Sequence, residues 1–178
     1  MTEPDSDFAQ SATLIPLAEV DSVLVEQLLD HAFGEGRQAR TAYKVREGTE
    51  YLPALSFAAL DEDELLTGTI QVWPVALTDP DGRRHPMLMV GPVAVVPQKQ
   101  GEGYGRALMA AMASALDPSA PLPQVLIGDP EYYERFGFHG AQTQGWALPG
   151  PYEKHRLLVR CINPAILPTD GMLGPWIG

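Results

Sequence analysis

The spacing of apolar positions changes along the chain, and each change predicts an element. Val23, Leu24, Leu28, Leu29 and Phe33 recur with helical spacing, with Asp21 as a capping residue before them and Gly34 as a stop after them. They predict a first helix over 21–33. The short apolar run Leu14 to Leu17 predicts a strand ahead of it. Gly34 to Gly48 carries Arg37, Arg40, Lys44 and Arg46, reads as a solvated basic face, and is expected to hold a short second helix flanked by loop. Leu55 to Leu60 and Leu65 to Val75 then read as two strands of an antiparallel hairpin joined by the acidic turn Asp61-Glu62-Asp63-Glu64. Asp79-Pro80-Asp81-Gly82 marks another turn, and Met87 to Val96 a third strand.

Within that strand Gly91 and Pro92 interrupt the ladder, because proline has no N–H to donate, so the sheet is expected to splay there. Ala107 to Leu116 is rich in strong helix formers and stops at Asp117-Pro118. Gln124 to Gly128 reads as a short buried strand. Asp129-Pro130 opens a short helix that runs through Tyr133 to Gly137, and Arg156 to Ile162 is a last strand. The mixed order of strands and helices predicts an α/β (α+β) fold: one domain over 14–162, with helices on both faces of a mixed, mostly antiparallel sheet. One parallel crossover is expected through the helix 107–116. Residues 1–13 read as a frayed leader. Residues 163–178 read as a Pro/Gly-rich apolar tail packed on the domain or on a partner subunit, which makes a homodimer an expectation.

Composition narrows the function. With 178 residues, 45% of them hydrophobic, the chain suffices for one self-contained core. Its longest apolar stretches, Val93 to Val96 and Ala107 to Ala113, fall far short of the roughly 20 residues a membrane helix requires. No membrane partner is expected. A formal charge of −11 repels phosphate backbones, which argues against nucleic acid, and attracts a cationic amine. Cys161 is the single cysteine, so no internal disulfide or cysteine metal cluster is expected, and a reducing, cytoplasmic setting fits. His139 and His155 stand in no metal-ligand spacing, and no metal is expected.

The candidate chemistry lies in Gln100-Gly101-Glu102-Gly103-Tyr104-Gly105, between an expected strand and an expected helix. Alternate glycines leave backbone N–H groups unshielded at a helix N-terminus, a nest suited to phosphate. Arg106 adds a charge. A P-loop is excluded because no Gly-Lys-Ser or Gly-Lys-Thr occurs in the chain. A dinucleotide fingerprint needs a third glycine where Arg106 stands, although Asp129 imitates its ribose-binding acid, so a Rossmann-type enzyme is the lesser alternative.

The run from Val93 through Gly101-Glu102-Gly103-Tyr104-Gly105-Arg106 to Met109 strongly resembles the acetyl-CoA motif of the GNAT superfamily of N-acetyltransferases, whose Gln/Arg-x-x-Gly-x-Gly/Ala core is matched in full. Tyr132-Tyr133-Glu134-Arg135-Phe136-Gly137-Phe138 resembles the family's later tyrosine motif, and the Gly-Asp-Pro before it resembles a group of uncharacterised bacterial members. The resemblance implies a GNAT-like domain that uses acetyl-CoA as donor and an amine as acceptor. It implies that the backbone of Val93 and Val95 pairs with the pantetheine arm and that the amides from Gln100 to Arg106, through Gly101, Gly103 and Gly105, hold the pyrophosphate. It places Tyr133 as general acid, with Tyr132 in reserve. Among the nearby titratable residues Asp129, Glu153, His139 and His155, Asp129 is the best placed for the base, although an aspartate there also serves as a helix cap. A module that binds acyl-CoA without catalysis is the alternative from another class.

Overall fold

The structure is a computed structural model that describes residues 12–177. The expected leader lies outside the described residues apart from Ala12 and Thr13. In chain order the elements are β1 (Thr13–Pro16), α1 (Ser22–Phe33), α2 (Thr41–Val45), β2 (Phe57–Leu60), β3 (Leu66–Thr78), β4 (Arg84–Val95), α3 (Tyr104–Ala115), β5 (Gln124–Ile127), α4 (Pro130–Tyr133), β6 (Gly145–Ala147), β7 (Leu157–Arg160) and β8 (Asp170–Pro175). They form a mixed sheet, mostly antiparallel, with helices, as the pattern predicts. The chain falls into two compact units, whose boundaries pass through β3 after Val72 and through β4 after Gly91.

The first unit contains the residues up to Gln38, Leu52–Val72 and Pro92–Leu116. β1 pairs antiparallel with β2, and β2 with β3, with a register shift between Ala59 and Leu60. Small residues in β2 leave room for a helix: Ala58 and Ala59 are fully buried where α3 packs on the strand. Gly68 serves the same contact. A Cβ there would lie 2.9 Å from the Ala94 carbonyl oxygen and 3.1 Å from Leu108 of α3. α3 buries Tyr104, Leu108, Met109 and Met112.

α1 is capped as expected, the Asp21 carboxylate accepting the Val23 N–H at 2.9 Å. It buries a narrower face than the spacing predicts. Val25, Leu28 and Leu29 enter the core, whereas Val23 and Leu24 remain 58% and 50% exposed. Arg37, expected on a solvated basic face, is instead buried. Its guanidinium is gripped from α1 by Asp30 at 2.9 Å and by Glu26, since a charge taken out of water needs partners.

The second unit comprises Ala39–Tyr51, Trp73–Gly91 and the residues from Asp117 onward. Its core joins Val45, Val75, Leu77, Met87, Met89, Val125, Trp146, Leu157, Val159 and Leu173. β5 runs parallel to β4 through Leu88↔Gln124 and Met89↔Val125, the one parallel crossover expected after the helix, while its far side pairs antiparallel with β7. The β4–β5 register stops before Gly91, which lies at φ 136, so the ladder ends where the glycine and proline predict.

Two strands were not legible in the sequence. β6 is three residues long, and β8 contains Gly171, Gly174 and Pro175, residues that punctuate loops. β8 pairs antiparallel with β3 and parallel with β6, placing Leu173 opposite Leu77. Gly171 is required by that pairing, because a Cβ on it would come within 2.9 Å of the Thr78 carbonyl oxygen and nearer still to Leu77. Pro53–Leu55 forms a 3₁₀ turn rather than the start of a strand, since Pro53 suits a first helical position. β3 and β4 extend beyond the expected limits, to Thr78 and back to Arg84.

Candidate active site

In the first unit β4 delivers the chain to the glycine loop. Ala94 is buried, with Val93 and Val95 half-buried on either side of it. The Val96 N–H donates to the Thr67 carbonyl at 2.8 Å, which keeps the strand end fixed. A 3₁₀ turn over Pro97–Lys99 follows, and the Gln of the Gln-x-x-Gly-x-Gly pattern, Gln98, stands in it. Gly101 and Gly103 take left-handed φ values of 84° and 91°, which favour glycine, and Gly103 caps α3. The first helical bond runs from the Ala107 N–H to the Gly103 carbonyl, at 3.0 Å. The N–H groups from Gly101 to Gly105 therefore precede the helical ladder, and among the described residues no backbone acceptor takes them.

Gln100 is engaged within the turn by both its main chain and its side chain. The Gln100 main-chain N–H donates to the Pro97 carbonyl at 3.5 Å, so the row of amides without a main-chain acceptor among the described residues begins at Gly101. The Gln100 side chain donates to the Val95 carbonyl at 3.3 Å and occupies an acceptor that the resemblance assigns to pantetheine. Arg106 stands in the first turn of α3. No atom lies within 4 Å of where a Cβ on Gly101 would sit, so the loop offers an open approach to its backbone. One feature opposes an anion there: Glu102, a carboxylate within the loop, has one oxygen buried without a hydrogen-bond partner.

In the second unit Gly128 leads from β5 into α4. Asp129 caps the helix, one carboxylate oxygen accepting the Glu131 N–H at 3.0 Å. Its carbonyl accepts the N–H groups of Tyr132 and Tyr133. The Tyr133 ring lies against Gly128 so closely that a Cβ on the glycine would fall 2.5 Å from Cε2. The ring also meets Tyr132 edge-on at 4.9 Å, and Phe136 and Phe138 at 6.4 Å. Burial pushes the Tyr133 phenol up to about 12; Tyr132 and Asp129 add to the rise, and Arg156 opposes it. Tyr132 is only partly buried and carries the Arg135 guanidinium 4.8 Å from its ring centroid, so it belongs to a surface stack rather than the core. His139 pairs through its backbone with Val159, while His155 is 71% exposed beside Glu153.

A second cluster in this unit escaped the sequence reading. The Arg46 guanidinium lies 4.1 Å from the Tyr43 ring centroid and 4.0 Å from that of Trp73, with Tyr51 edge-on to Trp73. It donates to the Gly91 carbonyl at 3.4 Å, on the residue before Pro92 in β4. The available signal was Tyr43, one helical turn before Arg46.

The sequence matches the description "Acetyltransferase (GNAT) domain" over residues 14–141. The chain belongs to the GNAT acetyltransferase family. It is 25% identical over 149 residues to an uncharacterised N-acetyltransferase, YhbS, of Escherichia coli, covering 81% of this chain and 86% of the relative. The structure of E. coli YhbS, in complex with CoA, superposes with a TM-score of 0.72 at 23% identity, covering 93% of this chain and 90% of that one. A GNAT family acetyltransferase of Brucella melitensis, in complex with acetyl-CoA, gives 0.60 at 24% identity, covering 92% and 94%. The GNAT match spans the glycine loop and the tyrosine segment. β7 and β8, which complete the core of the second unit, lie beyond it.

Proposed function

We propose that this chain moves the acetyl group of acetyl-CoA to a primary amine of a small molecule or protein, by direct attack of the amine on the thioester. The observation that carries this reading is the row of N–H groups from Gly101 to Gly105 at the start of α3, which fits a diphosphate and has no main-chain acceptor among the described residues. The positive end of the helix contributes about 0.3 to 1 kcal/mol more. Val93 supplies strand backbone for the amides of the pantetheine arm. Bound acetyl-CoA supplies the thioester whose acyl carbon is attacked.

The protein's own groups manage the protons. As the C–N bond forms and the C–S bond breaks, the amine must lose a proton and the sulfur must gain one. Tyr133 holds a proton at Oη throughout the neutral range, because its phenol titrates only at about 12. Against a thiol of ~8.5 it is a weak acid, and it acts first as a hydrogen-bond donor to the developing thiolate. Asp129, one turn of chain earlier, receives the ammonium proton. The same high value of the phenol favours a second reading, a module that binds acyl-CoA without turning it over.

Tyr133→Phe separates the two. Thiol release from acetyl-CoA in the presence of an amine panel is expected to fall by about 10² or more, with CoA affinity by calorimetry unchanged. Unchanged thiol release in the variant removes Tyr133 from the chemistry. CoA binding with no release by the native chain supports the binding module. The acidic chain and its single thiol, Cys161, suit a cytoplasmic enzyme acting on cationic acceptors.

A further inference from the structure

Acetyl transfer, as described above, gives no role to the cluster around Arg46 in the second unit. Arg46 closes α2 and is only 6% exposed. Its backbone is fixed where the helix ends, because its carbonyl accepts the Thr49 N–H at 3.1 Å and the Thr49 hydroxyl at 2.6 Å. Its guanidinium lies over the rings of Tyr43 and Trp73, and Tyr51 backs Trp73 edge-on at 6.2 Å. Such faces attract a desolvated cation more than an exposed one. Trp73 is turned so that its Nε1–H is buried with no hydrogen-bond partner among the described residues, an orientation that gives its face to the cation and leaves its polar atom unmatched.

The stack aims the guanidinium at a peptide of unusual character. Nη1 of Arg46 donates to the Gly91 carbonyl at 3.4 Å. Gly91 takes φ 136, which side-chain-bearing residues rarely adopt, and a Cβ on it would meet nothing within 4 Å. Glycine is therefore needed there for backbone conformation rather than for space. Pro92 brings no N–H, so the Gly91 carbonyl is the one hydrogen-bonding group of the peptide that joins them. The register with β5 has already ended at Met89. A glycine beyond that ladder has several backbone states open to it, and the Arg46 contact favours one of them.

We propose that Arg46 is a positioning residue for acetyl transfer, which by holding the Gly91 carbonyl keeps the Gly91–Pro92 step of β4 in a single backbone conformation during attack on the thioester. This rests on the acetyl-transfer reading, in which Val93, two residues further along the same strand, serves the pantetheine arm.

The test compares the native chain with Arg46→Met, which keeps the stem but removes charge and donors, and with Arg46→Lys, which keeps the charge but not the planar fork. Thiol release is followed against acetyl-CoA concentration with an amine that the native chain acetylates. Arg46→Met should lose about tenfold or more in kcat, with the KM for acetyl-CoA and the calorimetric Kd for CoA within about threefold, since the glycine loop holds the diphosphate. Should Arg46→Met melt below the assay temperature, Arg46→Lys is read by the same split and should lose about threefold or more in kcat. A second readout needs no cofactor. With glycine isotope-labelled at the carbonyl carbon and proline at nitrogen, NMR isolates the Gly-Pro peptides at Gly91, Gly150 and Gly174. The Gly91 signal should shift or broaden in the variants while the other two stay in place. An unmoved Gly91 signal, an unchanged kcat, or a loss confined to KM and CoA affinity each overturns the role given to Arg46. A native chain that binds CoA yet acetylates no amine overturns the acetyl-transfer reading, and this inference falls with it.

Discussion

At the scale of single residues, Tyr133 is where packing and chemistry conflict. Its ring is seated by the bare backbone of Gly128 and by neighbouring rings, and the same burial keeps the phenol protonated. The neutral phenol is thus favoured in the folded state, so the stability it contributes is complete below an unfolded value of about 10 and is lost as pH rises from there through 12. Urea unfolding at pH 8 and pH 11 should show native stability falling by more than that of Tyr133→Phe, by about 1 kcal/mol. Asp129 presents a separable pair of roles. Asn caps helices as well as Asp does, so Asp129→Asn should keep the melting temperature and lose activity, about tenfold or more in kcat. Asp129→Ala should additionally lose about 1 kcal/mol of stability. Full activity in the Asn variant would leave Asp129 as a cap alone.

At the scale of elements, the loop before α3 was legible because glycine at alternate positions has a direct backbone meaning. Gly101 and Gly103 do take the left-handed φ values their positions require. What the residues could not show is the hydrogen bonding within the turn, which engages the Gln100 N–H and brings its side chain to the Val95 carbonyl. Glu102 is the loop's one unfavourable charge toward an anion. Glu102→Gln should tighten CoA about threefold at low salt, a gain that shrinks as salt screens it, both read by calorimetry. α1 illustrates a different limit. Periodicity identified the helix and its cap, yet it could not distinguish Val25, which enters the core, from Val23 and Leu24, which line the surface. Only the partner surface decides that. Arg37 and Arg46 show the same limit for charge. A basic run reads as solvated until the structure supplies Asp30 and Glu26 for one guanidinium and two aromatic faces for the other.

At the scale of the whole molecule, the mixed sheet and the family were readable from the order of elements and two motifs, but the closure of the second core was not. Glycine and proline disguise β8 as a tail, although Leu173 is fully buried in the core around Trp146. Truncation after Ile162 should therefore abolish cooperative thermal unfolding of the second unit rather than merely trim an appendage, as followed by calorimetry or near-UV circular dichroism. In contrast, Ile177→Ser, at a side chain that is 63% exposed, should leave the melt unchanged. The place of β8 has a further consequence for the life of the chain. Leu77 is made long before Leu173, its partner across the ladder. Throughout synthesis of the second half, one flank of β3 faces the cell with its hydrogen-bonding groups unmatched, the condition in which nascent chains aggregate or engage chaperones. A chain released before Asp170 is made would be complete in its glycine loop and tyrosine segment but unable to finish folding.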